Sequence, residues 1–371
     1  MGRLGFAATL CVGAMLVLTT AVSAHEPAGA VGGEPIAARA GKAEMIAARQ
    51  SIFGRRWVDR RTGAMPRDRV LLSWFGVTNF AMSIRGKVVL LDAWVPRGAH
   101  TGYVPTSPEE LAALRPKLIL IGHAHFDHAA DAVPIARASG ALLVGLGEHC
   151  EAFAARAPAF PPPCEAVLPT GALPGEVAKG RLLAGVGIKA VKHLHSAGTL
   201  PDGYHAPVLP FPSATVLEHP PTFEDMFHLF GHLPDSEGGS VLYRFRVGDF
   251  TLAWNDSSGP LVDRAPGVLD RLRGLGPVDV HIGAIQGFNQ YTNGMRDPRT
   301  YIEALRPRVF VPSHHDDWAI PGITARGDAY RPYLADEIGL IPAASRPKVH
   351  FISDPIDYLR PAALQFRVRP R

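Results

Sequence analysis

Apolar, strand-like runs alternate with helix-like segments along this chain, and that alternation predicts an α/β protein whose helices cover the faces of its sheets. Three observations carry the prediction. Three apolar runs form an opening meander between 70 and 92, strands and helices then alternate as far as 313, and no repeat of solenoid period is present. At 371 residues, with 47% hydrophobic and 19% charged, the chain can bury one large core or two small ones and lacks the composition of a disordered one.

The amino terminus reads "MGRLGFAATLCVGAMLVLTTAVSAHEPAG": one early arginine, a long apolar run, then small residues. It predicts an exported chain with a signal peptide over 1–24, cleaved after Ala24, periplasmic or secreted. If uncleaved, the same run is long enough to anchor in a membrane. Cys11 lacks the small-residue context of a lipid-anchored cysteine. Residues 25–69 read as a linker and lead-in segment, with a short helix in "AEMIAARQSIF", and the main domain is expected over 70–371. The arginines of "GRRWVDRRTGAMPRDR" (54–69) have no interleaved aromatic ladder, and the net charge is only +4, so they read as a solvated face and no nucleic-acid partner is expected.

From Val70 the elements follow in order. "VLLSWF" (70–75), "NFAMSIR" (79–85) and "KVVLLD" (87–92) are strands, the last two joined at Arg85-Gly86, where Gly86 is free to take a positive φ. "SPEELAALRP" (107–116) opens with a serine cap and is a short helix. "KLILIG" (117–122) is a buried strand. "AADAVPIARASG" is a helix, "ALLVGLG" a strand and "GEHCEAFAARA" a helix. "GVGIKAVKHLHS" (185–196), "SVLYRFRVG" and "FTLAW" (240–254) are strands. "LVDRAPGVLDRLRGLG" is a helix, "VDVHIG" (278–283) a strand, "PRTYIEALRP" a helix and "RVFVPS" (308–313) a strand. The stretch 197–238, rich in Pro, His and Phe, fits neither period and reads as an insertion. Cys150 and Cys164 are 14 apart and, in an oxidising compartment, are either one loop-closing disulfide or two unrelated thiols.

Chemistry concentrates in "GHAHFDHAAD" (122–131), just after a strand. In extended backbone i and i+2 point the same way, so His123 and His125 can converge on one ion. Asp127 and His128 begin the following helix and can turn to a second position. Further donors sit at other strand ends: His193 and His195 on one face of "AVKHLHSAG", Asp256 in "LAWNDSSG", and His314 and His315 in "VFVPSHHDDW". All lie where a β-to-α loop would, on one edge of a sheet.

His-x-His-x-Asp-His, a later His, the Asp of "NDSSG" and a final His after "VPS" resemble the metallo-β-lactamase fold superfamily, and "LSWFGVTNFAMSIRGKVVLLDAW" is similar to that family's first hairpin. The resemblance spans roughly 70–318. It implies a four-layer αββα sandwich with the active site at one edge of the two sheets. It further implies that His123, His125 and His195 bind one metal, that Asp127, His128 and His314 bind a second, and that Asp256 bridges them. His193 and His315 are the alternatives at their positions. Asp92 resembles the family's structural aspartate. A bridging carboxylate at Asp256 is unlike the β-lactam-hydrolysing branches and more like the lactonase, phosphodiesterase and thioester hydrolase branches, within which the Pro-x-His ending and the hairpin opening "SWFG" are most similar to the ascorbate-phosphate lactonase and N-acyl-phosphatidylethanolamine phospholipase D-like group.

The function so implied is an exported two-metal hydrolase that uses a metal-bridging hydroxide to cleave an ester, lactone or phosphodiester, with Asp127 also handling a proton. Imidazole and carboxylate donors suit two divalent ions, zinc first, with manganese or iron compatible. The expected partner is a small-molecule or lipid-like substrate. In "TFEDMFHLFGHLP" (222–234), Met226, Phe227 and Phe230 share a helix side, as a packed helix or as a hydrophobic substrate wall. "GAIQGFNQYTNG" (283–294) lines the pocket or is a plain surface loop. A redox di-iron protein and a non-catalytic binding protein on the same fold are the alternative readings.

Overall fold

In a computed structural model of the chain, Arg85 and Gly86 both take left-handed φ angles, 53° and 71°, the pair that a two-residue hairpin turn between right-twisted strands requires. The described residues are 40–95, 106–197, 222–286, 295–315, 317–319, 323–325, 328–353 and 364–370. The chain divides into two units, Met1–Pro35 and Ile36–Arg371, and every described residue belongs to the second. The expected signal peptide 1–24, with Cys11, lies outside the described residues. No described helix is long and apolar enough to cross a membrane.

Numbering strands in chain order, β1 (Arg69–Trp74), β2 (Phe80–Ile84) and β3 (Lys87–Leu91) pair antiparallel, as the sequence predicts. The sheet continues in parallel through β4 (Leu118–Leu120), β5 (Leu142–Leu146) and β6 (Cys164–Leu168). A second sheet runs antiparallel through β7 (Val177–Leu183), β8 (Val186–His193), β9 (Ser240–Val247) and β10 (Phe250–Asn255). It then turns parallel through β11 (Val280–Ala284), β12 (Val309–Ser313) and β15 (Lys348–Val349). β13 (Asp317–Ala319) and β14 (Ile323–Ala325) form a separate hairpin. β16 (Gln365–Arg367) closes the outer edge of the first sheet against β1.

The main core lies between the sheets, where Leu72, Met82 and Leu120 meet Tyr243, Phe245 and Trp254. Trp74 and Trp254 are fully buried, and truncating either to alanine costs about 3–5 kcal/mol. Leu111 and Ile135, from helices Pro108–Ala113 and Ala132–Ser139, join this core from the far side of the first sheet. Ser107 caps the first of these helices by accepting from the Glu110 N–H at 3.2 Å. Helices Leu261–Arg264, Pro266–Arg273 and Arg296–Leu305 pack on the second sheet through Leu269, Leu272 and Tyr301. Helices thus flank two face-to-face sheets, the αββα arrangement the resemblance implies.

Several features differ from the sequence reading. Part of the lead-in belongs to the body: helix Lys42–Phe53 buries Ala48, Ile52 and Phe53 in the main core. β6 and β7 were not foreseen, because half-exposed strands carrying Glu, Lys, Gly and Arg show little apolar alternation. The helix read through "LVDRAPGVLDRLRGLG" is broken at Ala265, ahead of Pro266. Cys150 and Cys164 are joined in a disulfide, with Cα atoms 5.6 Å apart. Of the insertion 197–238, residues 198–221 lie outside the described residues, and the remainder holds helix Phe223–His232.

Candidate metal centre

Parallel strands end on a common side, and register lines the ends up: Asn255 of β10 faces Gly283 of β11, which faces Pro312 of β12. Asp256 and His314 therefore emerge at the same level. β8 leaves toward the same edge, where His193 pairs with Ser240. Two hydrogen bonds draw the first sheet's edge against the second, Val241 N–H to Gly122 C=O at 2.9 Å and Ala124 N–H to Glu237 C=O at 2.8 Å.

Six of the seven expected ligands fall into two triads, His123–His125–His195 and Asp127–His128–His314, and Asp256 groups with His123 and His128 between them. His195 Nε2 lies 3.1 Å from His123 Nε2, and the His125 ring is 4.8 Å from that of His123 and 4.9 Å from that of His195. In the second triad Asp127 Oδ2 stands 3.4 Å from both His128 Nε2 and His314 Nε2. The His123 and His128 rings are 3.9 Å apart. Asp256 Oδ2 lies 2.7 Å from His123 Nδ1 and 3.5 Å from His128 Nδ1.

The alternatives point elsewhere. The sequence reading put His193 and His195 on one face, but β8 ends at His193, so alternation stops and the rings diverge. His193 Nδ1 meets the Tyr301 hydroxyl at 2.9 Å. His315 stacks on Trp74 at 4.7 Å and bonds the Ile352 carbonyl through Nε2.

Do these residues fit a cation? Asp92, Asp127 and Asp256 are all buried, and among the described residues the ion-pair partners they have are histidines, with no lysine or arginine. Buried carboxylates in such number call for compensating positive charge. Among the described residues His128 Nε2 and Asp256 Oδ1 are moreover buried without a hydrogen-bond partner, a carboxylate oxygen open to an ion and a ring nitrogen that an ion can take in place of its proton. Burial, then neighbouring imidazoles, hold His123 well below its ordinary value, and burial followed by His195 lowers His125 to about 4. These rings are neutral at neutral pH, the state a ligand needs. Burial alone would lower His128, yet the Asp127 and Asp92 carboxylates outweigh it and hold the ring well above its usual range. Burial alone would raise Asp127, yet His128 and His314 keep it ionised. The donor set fits two adjacent cations.

Supporting groups hold this arrangement. Asp92 Oδ2 accepts from Thr78 Oγ1 at 2.6 Å and lies 2.8 Å from His128 Nδ1, while Asp92 Oδ1 accepts the Gly122 N–H at 3.0 Å. A proton on Nδ1 facing a carboxylate leaves Nε2 of His128 free for an ion. Burial and the nearby Asp256 push the Asp92 carboxyl up to about 7. Asn79 donates to the Asp127 carbonyl at 3.2 Å and accepts from Trp94 N–H at 2.9 Å. Gln286 Nε2 meets His314 Nδ1 at 2.8 Å; this part of the loop 283–294 does line the site, and 287–294 lie outside the described residues. Thr78, Asn79, Gln286 and Gly122 were not foreseen. Small polar residues and glycine next to strands read as turn formers, and only the glycine immediately before His123 offered a signal.

Helix Phe223–His232 leans toward the site through His228, whose Nε2 is 3.3 Å from Asp131 Oδ1, and buries Asp225 and Leu229. Its other face presents Phe223, Phe227 and Phe230, which are 86%, 74% and 49% exposed. Phe227 and Phe230 share a side as expected; Met226 is only partly exposed.

A family described as "Beta-lactamase superfamily domain" matches residues 71–314, well over half of the chain. A metal-dependent hydrolase of Pyrobaculum neutrophilum is 44% identical over 77 residues, 21% of this chain and 32% of that protein. The chain thus spans about a third of the length of the first relatives it matches. A metal-dependent hydrolase of Pyrobaculum arsenaticum is 27% identical over 290 residues, covering 78% of this chain and 99% of the relative. A solved metallo hydrolase from Ignicoccus hospitalis is 18% identical, covers 77% of this chain and 96% of its own, and superposes with a TM-score of 0.48.

Proposed function

The chain belongs to the beta-lactamase superfamily, and from that premise we propose that it is a metal-dependent hydrolase with two adjacent cation positions, cleaving an ester, lactone or phosphodiester. The observation that carries this reading is the convergence of two triads and Asp256 on one buried sheet edge. His123, His125 and His195 would hold one ion, Asp127, His128 and His314 the other, and Asp256 would serve both. Bound there, divalent ions supply a water of lowered pKa and polarise the substrate oxygen; zinc suits the donors, and manganese or iron remain compatible.

The chain's own residues do the rest. Asp92 and Thr78 orient His128, and Gln286 orients His314. Asp127, with Oδ2 directed at both rings of its triad, is the carboxylate placed to orient the attacking water and to pass a proton to the leaving atom. The exposed phenylalanines of helix Phe223–His232, beside the site through His228, suit a substrate with an apolar or lipid-like part. Export is supported by the leader-like amino terminus and by the Cys150–Cys164 disulfide, since such bonds persist in oxidising compartments.

The test is metal content by mass spectrometry on protein purified without added metal, paired with turnover of generic esters and phosphodiesters by wild type and Asp256→Ala. About two ions per chain, and turnover that disappears in the variant while the fold is retained, support the proposal. One ion or none that will not reload, or full activity in Asp256→Ala, overturns it. Iron together with oxygen consumption would point to redox chemistry instead.

A further inference from the structure

The outer face of the second sheet is only partly covered by helices. Toward the metal edge, Val191, Leu242 and Ala253 pack beneath them. Two residues further from that edge along β8 and β9, on the same face, the side chains are cations. Register sets Lys179 of β7 opposite Lys189 of β8, and Lys189 opposite Arg244 of β9. Arg246 follows on the same strand, opposite Gly187 and Thr251.

Like charges directly opposite one another destabilise a sheet, and here three stand in a row. The repulsion is felt locally: burial, then Arg244, Lys179 and Arg246, lower the Lys189 ammonium from its ordinary value. None of these four cations has a carboxylate at ion-pair distance among the described residues. The nearby acids are already engaged. Asp279 Oδ2 accepts from Thr251 N–H at 2.9 Å and Oγ1 at 3.0 Å, and its Oδ1 lies 3.4 Å from Arg308. Asp249 Oδ1 accepts the Arg369 N–H at 2.8 Å. Arg244 Nε is buried with no hydrogen-bond partner among the described residues. A cavity of about 220 Å³ opens at this spot, lined by Arg244, Arg246, Arg308 and Thr251 and by the two engaged carboxylates of Asp249 and Asp279.

We propose that this cavity is an accessory site for a phosphoryl-type oxyanion, gripped by Arg244 and Arg246, with Lys189 adding positive charge from its place opposite Arg244 on the neighbouring strand. An oxyanion satisfies the orphaned guanidinium nitrogen and relieves the cross-strand repulsion at once, and planar guanidinium groups match its paired oxygens. The site lies at the far end of β9 from the candidate metal centre, because Ser240 begins that strand opposite His193 and Val247 ends it beside the cavity. Its occupant is therefore a second ligand and not the hydrolysed bond. A free phosphate or phosphomonoester and a phospholipid headgroup present the same chemistry.

Two probes on the full chain separate these sources: inorganic phosphate by calorimetry, and cosedimentation with phosphatidylglycerol-containing vesicles, each with wild type and the double variant Lys189→Gln/Arg244→Gln. Wild type is expected to bind at least one probe, and the variant to bind it about tenfold or more weakly. Melting of the variant in chloride buffer should be unchanged or raised, which shows that the fold is intact. Phosphate binding that saturates and competes with vesicles assigns a free anion, and vesicle binding that resists phosphate assigns a headgroup. Failure of both probes to bind, or equal binding by the variant, overturns the site.

Discussion

The backbone N–H of His314 donates to the carbonyl of Val77 across 2.7 Å, and both residues are left-handed, at φ 57° and 49°. Neither is glycine, and Val77 is β-branched, so each conformation costs about 1–3 kcal/mol. Asp92, at φ 57°, is a third strained residue on the same edge. The Val77 carbonyl also accepts from Trp74 Nε1 at 2.9 Å, so packing fixes what local preference opposes. The turn 76–79 thereby ties His314, just past β12, to His128, through Thr78, and to Asp127, through Asn79.

That turn makes Thr78 a positioning residue with a measurable signature. Thr78→Val keeps the shape and removes the hydroxyl between Asp92 and His128. We expect a folded protein whose cation affinity falls by roughly 10–100-fold, read by competitive chelator titration. Unchanged affinity would mean that Asp92 orients His128 unaided.

Gly122 permits Asp256 to occupy its place. A Cβ at Gly122 would lie 2.0 Å from Asp256 Cγ and 2.2 Å from its Oδ2, so no side chain fits unless the carboxylate moves. Gly122→Ala should cost about 1–3 kcal/mol by overpacking and should lower metal content below that of wild type. Gly180→Ala, with nothing within 4 Å of the added carbon, is the control. If both variants load metal equally, the close approach has no bearing on the centre.

How far was this legible in the sequence? His-x-His-x-Asp-His sits in one short turn, so its residue types and spacing are visible locally, as are the strands that end at Asp256 and His314. The choice of His195 over His193 came from the family resemblance and not from strand alternation, because it depends on where β8 stops and on Tyr301, 108 residues from His193. β16 was not legible either, because it finds its partner by pairing Arg367 with Arg69 across the whole body. Thr78 resembles any turn residue until Asp92 and His128 fold onto it.

The disulfide joins helix Gly147–Arg156 to edge strand β6 across 14 residues. A loop of that size contributes about 3 kcal/mol by restricting the unfolded chain. Cys150→Ala/Cys164→Ala should lower the denaturation midpoint accordingly while leaving the metal-dependent turnover of the folded protein intact. Coincident unfolding curves for the variant and the oxidised wild type would show that the bond does not stabilise this protein.

His281 gives a pH dependence of definite sign. Burial lowers its pKa to about 3, and its Nε2 lies 2.6 Å from Asn255 Oδ1, a carbonyl-type acceptor, so Nε2 carries the proton. Nδ1 is buried without a partner, leaving no place to stabilise a second proton. The unfolded chain takes up that proton near its ordinary pKa of about 6.5. The folded protein does not until about pH 3. The stability contribution is therefore complete above about 6.5 and declines as pH falls, by up to about 1.4 kcal/mol per unit. His281→Gln retains a donor for Asn255 and does not titrate. Between pH 6.5 and 5 the wild type should lose about 1.6 kcal/mol more than this variant in urea unfolding, and pH effects from the other histidines cancel because both proteins share them. Parallel pH profiles would mean that His281 is charged in the folded state or remains neutral in both states.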